Sequence, residues 1–482
     1  MNHRTKTGIR VGAVAASAAV CGSLVIAGAA QAAPVVDTTG LREAVTVTGI
    51  MEHLTEFQAI ADANGGNRAA GTPGHVASLE YVEDLLDDAG YDTWRQAFSY
   101  ENVTILSSSL AQTAPTPTTY VENTDYVPME FTGPGDVTAA VTAVDINLVG
   151  DRASTSGCED ADFAGFPAGN IALIQRGTCT FGEKADNAAE AGADGVIIFN
   201  QGNGGPDRTD LFGGTLGDFA RDIPVVSVSF PQGEAWANTA GLTLHLAIET
   251  DVDEITTENL LADTPSGRAD RTVVVGGHLD SVEEGPGIND NGSGTAGILE
   301  VALQMHELGI EPENRVRFAF WSGEEDGLIG SSFYVSQLSA REIKEHALNL
   351  NFDMIGSPNY ASFVYDGDGN AFGTAGPNGS DIIEGVFTDF FSSEGEFTEP
   401  TEFDGRSDYF GFIEAGIPAG GLFTGAEGIK TAEEAARYSG TAGIAYDPCY
   451  HQACDDIDNL SAEALDIMSD AVAHATLTFA ET

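Results

Sequence analysis

The sequence predicts an α/β fold, a mixed and mostly parallel sheet with helices on both faces, interrupted by a smaller β-rich insert. After Leu260, short apolar runs rich in β-branched residues alternate with helix-forming stretches, as strands buried on both faces require. One such run, Thr272-Val273-Val274-Val275, leads into Gly276-Gly277-His278-Leu279-Asp280-Ser281 and then Gly287-Ile288-Asn289-Asp290-Asn291-Gly292-Ser293-Gly294. A helical stretch from Thr295 to Leu308 follows, with Ala296, Leu299, Leu303 and Met305 among good helix formers. Between about Ala111 and Leu260 the texture differs: Thr and Pro accumulate to Thr119, then aromatic residues and valines appear among turns.

An imidazole thus leaves the carboxyl end of a strand, and a carboxylate follows on a glycine-rich loop before a helix. Ligands bind at that edge of open α/β sheets. His278 and Asp290 are therefore candidate metal ligands, and Asp280 is expected to hold the His278 ring by its second nitrogen.

A chain of 482 residues suggests two folded units. The expected division is a signal peptide at 1–32, a first peptidase-like part at 33–115, the insert at 116–252, and a second part at 253–482. Arg4, Lys6 and Arg10 form a basic start, Val11 to Ala27 an apolar middle, and Ala30-Gln31-Ala32 a small-x-small cleavage site. That pattern predicts secretion, with cleavage near Ala32. Cys21 does not make a lipoprotein site, because Val20 is too bulky for the position before it. No later run has the apolar length to span a bilayer.

Cleavage would leave Cys158, Cys179, Cys449 and Cys454. An even number in an exported protein favours disulfides, and proximity pairs Cys158 with Cys179 and Cys449 with Cys454. A zinc ribbon is excluded by the lack of any C-x-x-C pair. The formal charge is −54, and losing three basic residues with the signal takes it to −57. Such a surface repels nucleic acid and anionic membranes. It is compatible with a solvated exterior or with adaptation to high salt.

In chain order, Leu41 to Gly65 reads as a helix burying Ile50, Leu54, Phe57 and Ile60. Asn67 to Gly74 reads as a loop, Ser78 to Ala89 as a second helix ended by Gly90, and Thr93 to Tyr100 as a strand. In the insert, Asn170 to Gly177, Val196 to Asn200 and Ile223 to Val228 read as strands, with a helix from Lys184 to Ala191. The combinations I-A-L-I-Q-R-G-x-C-x-F and A-G-A-D-G-V-I-I-x-N resemble the protease-associated (PA) domain. The resemblance implies that the insert shapes access to a site and does not catalyse. His245, alone in it, is expected to be packed.

Four further stretches bring chemistry. Val316 to Ser322 reads as a strand delivering Glu324 and Glu325, and Leu348 to Phe352 as one delivering Asp353. Phe403-Asp404-Gly405-Arg406-Ser407-Asp408 precedes a short helix, and Asp447 to Cys454 carries Tyr450 and His451. Two histidines and three carboxylates satisfy two zinc ions when one carboxylate bridges them.

The motifs G-H-x-D-S, G-x-N-D-N-x-S-G, S-G-E-E, N-x-D-M-I-G and C-Y-H resemble the zinc aminopeptidases of the M28 peptidase family, particularly secreted bacterial leucine-type enzymes. The resemblance covers the peptidase-like parts, including Asn67 to Gly74, and its PA-containing subgroup matches the whole mature chain. It implies that His278 and Asp353 bind one zinc, Glu325 and His451 the other, and Asp290 both. Glu324 would be the general base, acting on a zinc-bridging water, and Tyr450 would donate to the oxyanion. Arg406 would bind substrate, or simply pair with Asp404 or Asp408. The implied activity is removal of an amino-terminal residue, large and apolar, from peptides by a secreted monomer. Rival readings are a carboxypeptidase of the same fold, a one-zinc cyclase-like transferase, and a non-catalytic binding protein.

His53, His75, His306, His346 and His474 fall in no motif and are read as structural. Calcium is a lesser expectation. Asp366, Asp368 and Asn370 alternate like the start of a calcium loop, but Ala371 and Pro377 stand where that loop needs Gly and Glu. Asp466 and Asp470 lie one helical turn apart. A solvated face is the favoured reading of both sets.

Overall fold

The computed structural model describes residues 36–482 except Pro206, Asp207 and Asp218. The expected signal peptide lies outside the described residues. Thr38–Thr482 forms one compact unit.

The region read as one helix from Leu41 is two, Thr39–Ala44 and Val47–Ala63. The break falls at Thr46, whose hydroxyl accepts the Gly49 N–H and caps the second helix. Ile50, Leu54, Phe57 and Ile60 are buried as expected. The next helix, Pro73–Asp88, starts five residues before Ser78, because Thr72 caps it and Pro73 fits its first turn. The loop before it is correspondingly shorter.

Fourteen strands follow among the described residues. They are Asp92–Ala114 (β1), Thr118–Thr119 (β2), Tyr126–Pro128 (β3), Gly135–Val144 (β4), Ile171–Gln175 (β5), Gly195–Phe199 (β6) and Val225–Val228 (β7). Then come Thr243–Asp263 (β8), Arg268–His278 (β9), Asn314–Trp321 (β10), His346–Phe352 (β11), Phe363–Tyr365 (β12), Glu399–Thr401 (β13) and Ala419–Phe423 (β14). Their order is β13-β12-β14-β11-β9-β10-β8-β4-β5-β6-β7-β3, with β1 along β8. β14, β11, β9 and β10 run parallel, and β4 to β7 form a second parallel set.

The strand read at Thr93 to Tyr100 is far longer. β1 and β8 pair antiparallel along nearly their whole length. The carboxyl end of β8 pairs β10, and its amino half pairs β4. One ribbon thereby ties the insert's sheet to the larger sheet. The insert has its own core, with Ile171, Leu173, Ile197, Val226 and Trp236 on one face and Ala172, Ile174, Val196 and Ile198 on the other. Alternation sends successive side chains to opposite faces, and both are covered.

His245 is not packed as expected. Its ring is one-third exposed and lies 2.9 Å from Asp136 on β4. His306 is exposed, whereas His53, His75 and His346 are buried, bonded respectively to Tyr81 and Glu300, to the Glu258 carbonyl, and to Tyr334. His474 bonds Thr38 and stacks on Phe390.

Candidate metal centre

Three adjacent parallel strands set the frame. Trp321 on β10 pairs with His278 on β9, and Asn351 on β11 pairs with Gly276. The three chains therefore leave the sheet at one edge, where they present His278, Glu324 with Glu325, and Asp353. Asp290 arrives from the loop ahead of the helix Gly294–Glu307. That helix begins close to β11: a Cβ on Gly294 would lie 2.3 Å from the Phe352 carbonyl oxygen, so only glycine fits. Tyr450 and His451 come from a loop closed by the Cys449–Cys454 disulfide. The second bond, Cys158–Cys179, lies in the insert, so both expected pairings are present.

The five candidate ligands converge. His278 Nε2 is 3.2 Å from Asp290 Oδ1 and 3.3 Å from Asp353 Oδ1. His451 Nε2 is 3.3 Å from Asp290 Oδ2 and 2.9 Å from Glu325 Oε2. Glu324 stands beside them, 3.8 Å from His278 Nε2. Donor atoms of His278, Glu324 and Asp353 all lie within 4.8 Å of one another, as do those of His278, Asp290 and Glu325.

The residues behind them fix their direction. His278 Nδ1 lies 3.1 Å from the Asp280 backbone carbonyl, which can only accept; a proton therefore sits on Nδ1, and Nε2 is the nitrogen turned to Asp290 and Asp353. Asp280 thus meets the ring at its second nitrogen through the backbone carbonyl, with its carboxylate 3.7 Å from that nitrogen. The carboxylate instead accepts the N–H groups of Glu324 and Glu325, each at 3.4 Å, and so ties the β10 loop to the β9 loop. Asp455 accepts the N–H groups of Asn289 and Asp290. Asn459 bonds both Asp455 and Asp447, and Asp447 accepts from Asn289.

Sequence reasoning missed Asp455, one residue past the disulfide, because the Asp455-Asp456 pair matches no motif. It also missed Ser407, whose hydroxyl bonds Asp353, and Asn291, whose side chain joins Gly294, Met354 and Phe352. Arg68 lies in the Asn67 to Gly74 segment, where no pattern singles it out. It is fully buried and its guanidinium donates to the carbonyls of Leu279, Pro286 and Gly287, which bracket the segment between His278 and Asp290.

Arg406 pairs with neither Asp404 nor Asp408 through its side chain. Its fork meets Glu427 at 2.9 and 3.3 Å, and one nitrogen donates to the Tyr450 hydroxyl at 3.3 Å. Tyr450 stacks on His451. Burial, reinforced by Asp290 and Glu325, raises the Tyr450 pKa well above its ordinary value, so the hydroxyl keeps its proton.

The charge balance fits a cation. Burial pushes the Glu325 carboxyl up to about 8, with Asp290 adding to the rise. Burial also lifts Glu324 well above the usual carboxylate range. Burial opposes protonation of His451, yet Asp290 and Glu325 raise it to about 10. His278 Nε2, Asp353 Oδ1 and Glu325 Oε1 are buried without a hydrogen-bond partner. Unpaired buried polar atoms of this kind are costly unless something coordinates them. Imidazole nitrogens and carboxylate oxygens are the donor set zinc accepts.

The centre opens into a cavity of about 560 Å³. Met354, Tyr365 and Phe423 contribute apolar wall, and Glu130 and Phe131 of the insert with Asn102, Val103 and Ile105 of β1 form another side.

Comparison with known proteins gives the family of the chain. Residues 259–476 match peptidase family M28, and residues 137–236 match the PA domain. An aminopeptidase of Pseudomonas aeruginosa is 50% identical over 439 residues, 91% of this chain and 81% of that protein. Leucine aminopeptidase 2 of Arthroderma otae is 37% identical over 457 residues, 93% of this chain and 87% of that one. Among solved structures, the aminopeptidase from Aneurinibacillus sp. strain AM-1 superposes with a TM-score of 0.67 at 26% identity, covering 91% of this chain and 95% of that one. A zinc aminopeptidase from Bacillus subtilis gives 0.54 at 25% identity, over 89% and 94%. With half of its residues shared over most of both chains in the first comparison, the protein belongs to peptidase family M28 and carries a PA domain.

Proposed function

We propose that the protein is a metallo-aminopeptidase that hydrolyses the first peptide bond of peptides with a free amino terminus, using two zinc ions. The observation that carries this is the Asp290 carboxylate, which turns one oxygen to His278 and the other to His451 while each histidine has a second carboxylate of its own. In this reading His278 and Asp353 hold one zinc, His451 and Glu325 the other, and Asp290 both. The bound ions would supply an acidified water and a polarised scissile carbonyl.

The chain's own groups do the rest. Glu324 lies within reach of the centre, and burial makes it readily protonated. It takes the proton of the attacking water and passes it to the leaving amine. Tyr450, kept protonated and receiving a hydrogen bond from Arg406, is free to donate its own to the oxygen where charge develops. Arg406 thereby acts through Tyr450 as well as on substrate. Met354, Tyr365 and Phe423 suit an apolar first side chain, in line with the leucine aminopeptidases among its relatives.

The expected four-part division, export of a monomer after cleavage near Ala32, and an insert that narrows the cavity complete the reading. Among the described residues no helix is long and apolar enough to cross a membrane. For calcium, Arg42 stands 3.4 Å from Asp470 and occupies that face, which leaves Asp366, Asp368 and Glu384 as the set. Asn370, beside that set, donates its side-chain amide to Asp368.

The test compares leucine p-nitroanilide with its N-acetylated form and counts zinc in the purified protein. Turnover of the free amine alone, with two zinc ions per chain, is expected. Equal turnover of both substrates would overturn the aminopeptidase reading, and one zinc per chain the dinuclear one.

A further inference from the structure

The insert places one carboxylate in the cavity that the reaction does not use. Glu130 lines the same cavity as Asp290, Asp353 and His451, yet its side chain has no hydrogen bond or ion pair among the described residues. Part of the residue is exposed to solvent, and partial burial of its carboxyl raises the pKa above the ordinary carboxylate value. The backbone beneath it is held firmly. The Glu130 N–H donates to Gly214, its carbonyl accepts from Leu216, and the neighbouring Phe131 carbonyl accepts from Arg221.

Phe131 has φ +60°, a left-handed conformation uncommon for a bulky residue, and its side chain packs against the insert's core. Backbone in such a region persists where its surroundings over-determine it, and it concentrates at ligand-contacting corners. The corner therefore anchors one side chain in the insert and offers the next to the cavity.

We propose that Glu130 is a specificity-determining residue that favours peptides whose second residue carries a cationic side chain. The inference rests on the aminopeptidase reading. The first residue must sit with its carbonyl at the metal centre, among the ligands and Glu324. Glu130 comes from the insert and not from the loops that carry those groups, and in this proposal it faces chain beyond the scissile bond. Among the other carboxylates of the cavity outside the metal centre, Asp326 is engaged by Tyr100, and Asp404 by Tyr409 and the Arg406 N–H, whereas Glu402, on the larger sheet's side, is exposed like Glu130. The Glu130 charge is thus free to meet a lysine or arginine, at the strength of a solvent-accessible pair.

The experiment measures kcat/KM for Leu-Lys-Ala, Leu-Ala-Ala and Leu-Glu-Ala with the wild type, Glu130→Gln and Glu130→Lys, at low and high salt. The wild type should prefer lysine over glutamate at the second position, and Glu130→Gln should reduce that ratio by about two- to fivefold. Glu130→Lys should push the ratio further the same way, and the differences should shrink at high salt. An unchanged ratio in both variants overturns the proposal. A change confined to the first position, read by comparing Lys-Ala-Ala with Leu-Ala-Ala, overturns the assignment to the second residue. A wild type inert on every free-amine peptide overturns the aminopeptidase reading itself, a failure distinguishable from the other two.

Discussion

Ser407 donates to Asp353 Oδ2 at 2.6 Å, while Oδ1 of the same carboxylate faces His278 Nε2 at 3.3 Å. The hydroxyl is itself held by the Asn351 side-chain amide at 2.8 Å, so β11 orients its own terminal carboxylate. Groups that orient a ligand in this way typically account for 10–100-fold in metal affinity. Ser407→Ala should therefore lose zinc at roughly 10–100-fold lower chelator concentration, as read by metal content after dialysis against a chelator series.

Glu324 is assigned proton transfer and no metal. Glu324→Gln keeps its size and removes its basicity. It should lower kcat by about 10²–10⁴-fold. Zinc content should stay at the wild-type value, measured by atomic emission on the same sample. Loss of zinc along with activity would move Glu324 into the ligand set.

Arg68 spans three backbone carbonyls and lies over the Phe57 ring. Lysine cannot reproduce that fork, and an apolar residue leaves the carbonyls buried and unpaired. Arg68→Met is expected to cost about 3–5 kcal/mol in urea unfolding, on the scale of orphaning several buried groups. Because Leu279 and Gly287 flank the segment joining His278 to Asp290, the variant should also bind zinc more weakly.

His75 supplies a pH dependence. Its complete burial lowers the pKa to about 3, against a small opposing effect from the Glu258 carbonyl. Unfolded, the ring titrates near 6.5, so only the unfolded chain gains a proton as pH falls below that value. The stability is complete above about 6.5 and declines by about 1.4 kcal/mol per pH unit down toward 3. Carboxylates titrate in the same window, so the measurement is a difference. The unfolding free energy of His75→Gln should fall less steeply from pH 6 to pH 4 than that of the wild type.

Much of the centre was legible from the sequence because the ligands sit where local pattern is strongest. His278, Glu324 with Glu325, and Asp353 each end an apolar β-branched or aromatic run, and such runs become parallel strands with a common edge. The disulfide pairs were legible for a similar reason, the small separations of 21 and 5 residues. Helix starts were less so. Thr72-Pro73 and Thr46 set them by capping, which hydrophobic periodicity does not register.

The sequence by itself determined which residues are candidates for the centre, in which order, and that a β-rich insert follows the first part of the larger sheet. Only the tertiary structure decided what supports them: Asp280 holds His278 through its carbonyl and the Glu324 loop through its carboxylate, Arg406 turns to Glu427 and Tyr450, and Arg68 clasps a loop more than 200 residues away. It also decided that β1 and β8 run on as one ribbon that brings Glu130 to the cavity. The physical reason is range. Strand ends and motifs are written in neighbouring residues, whereas the choice among hydrogen-bond partners depends on which distant groups folding brings within hydrogen-bonding distance.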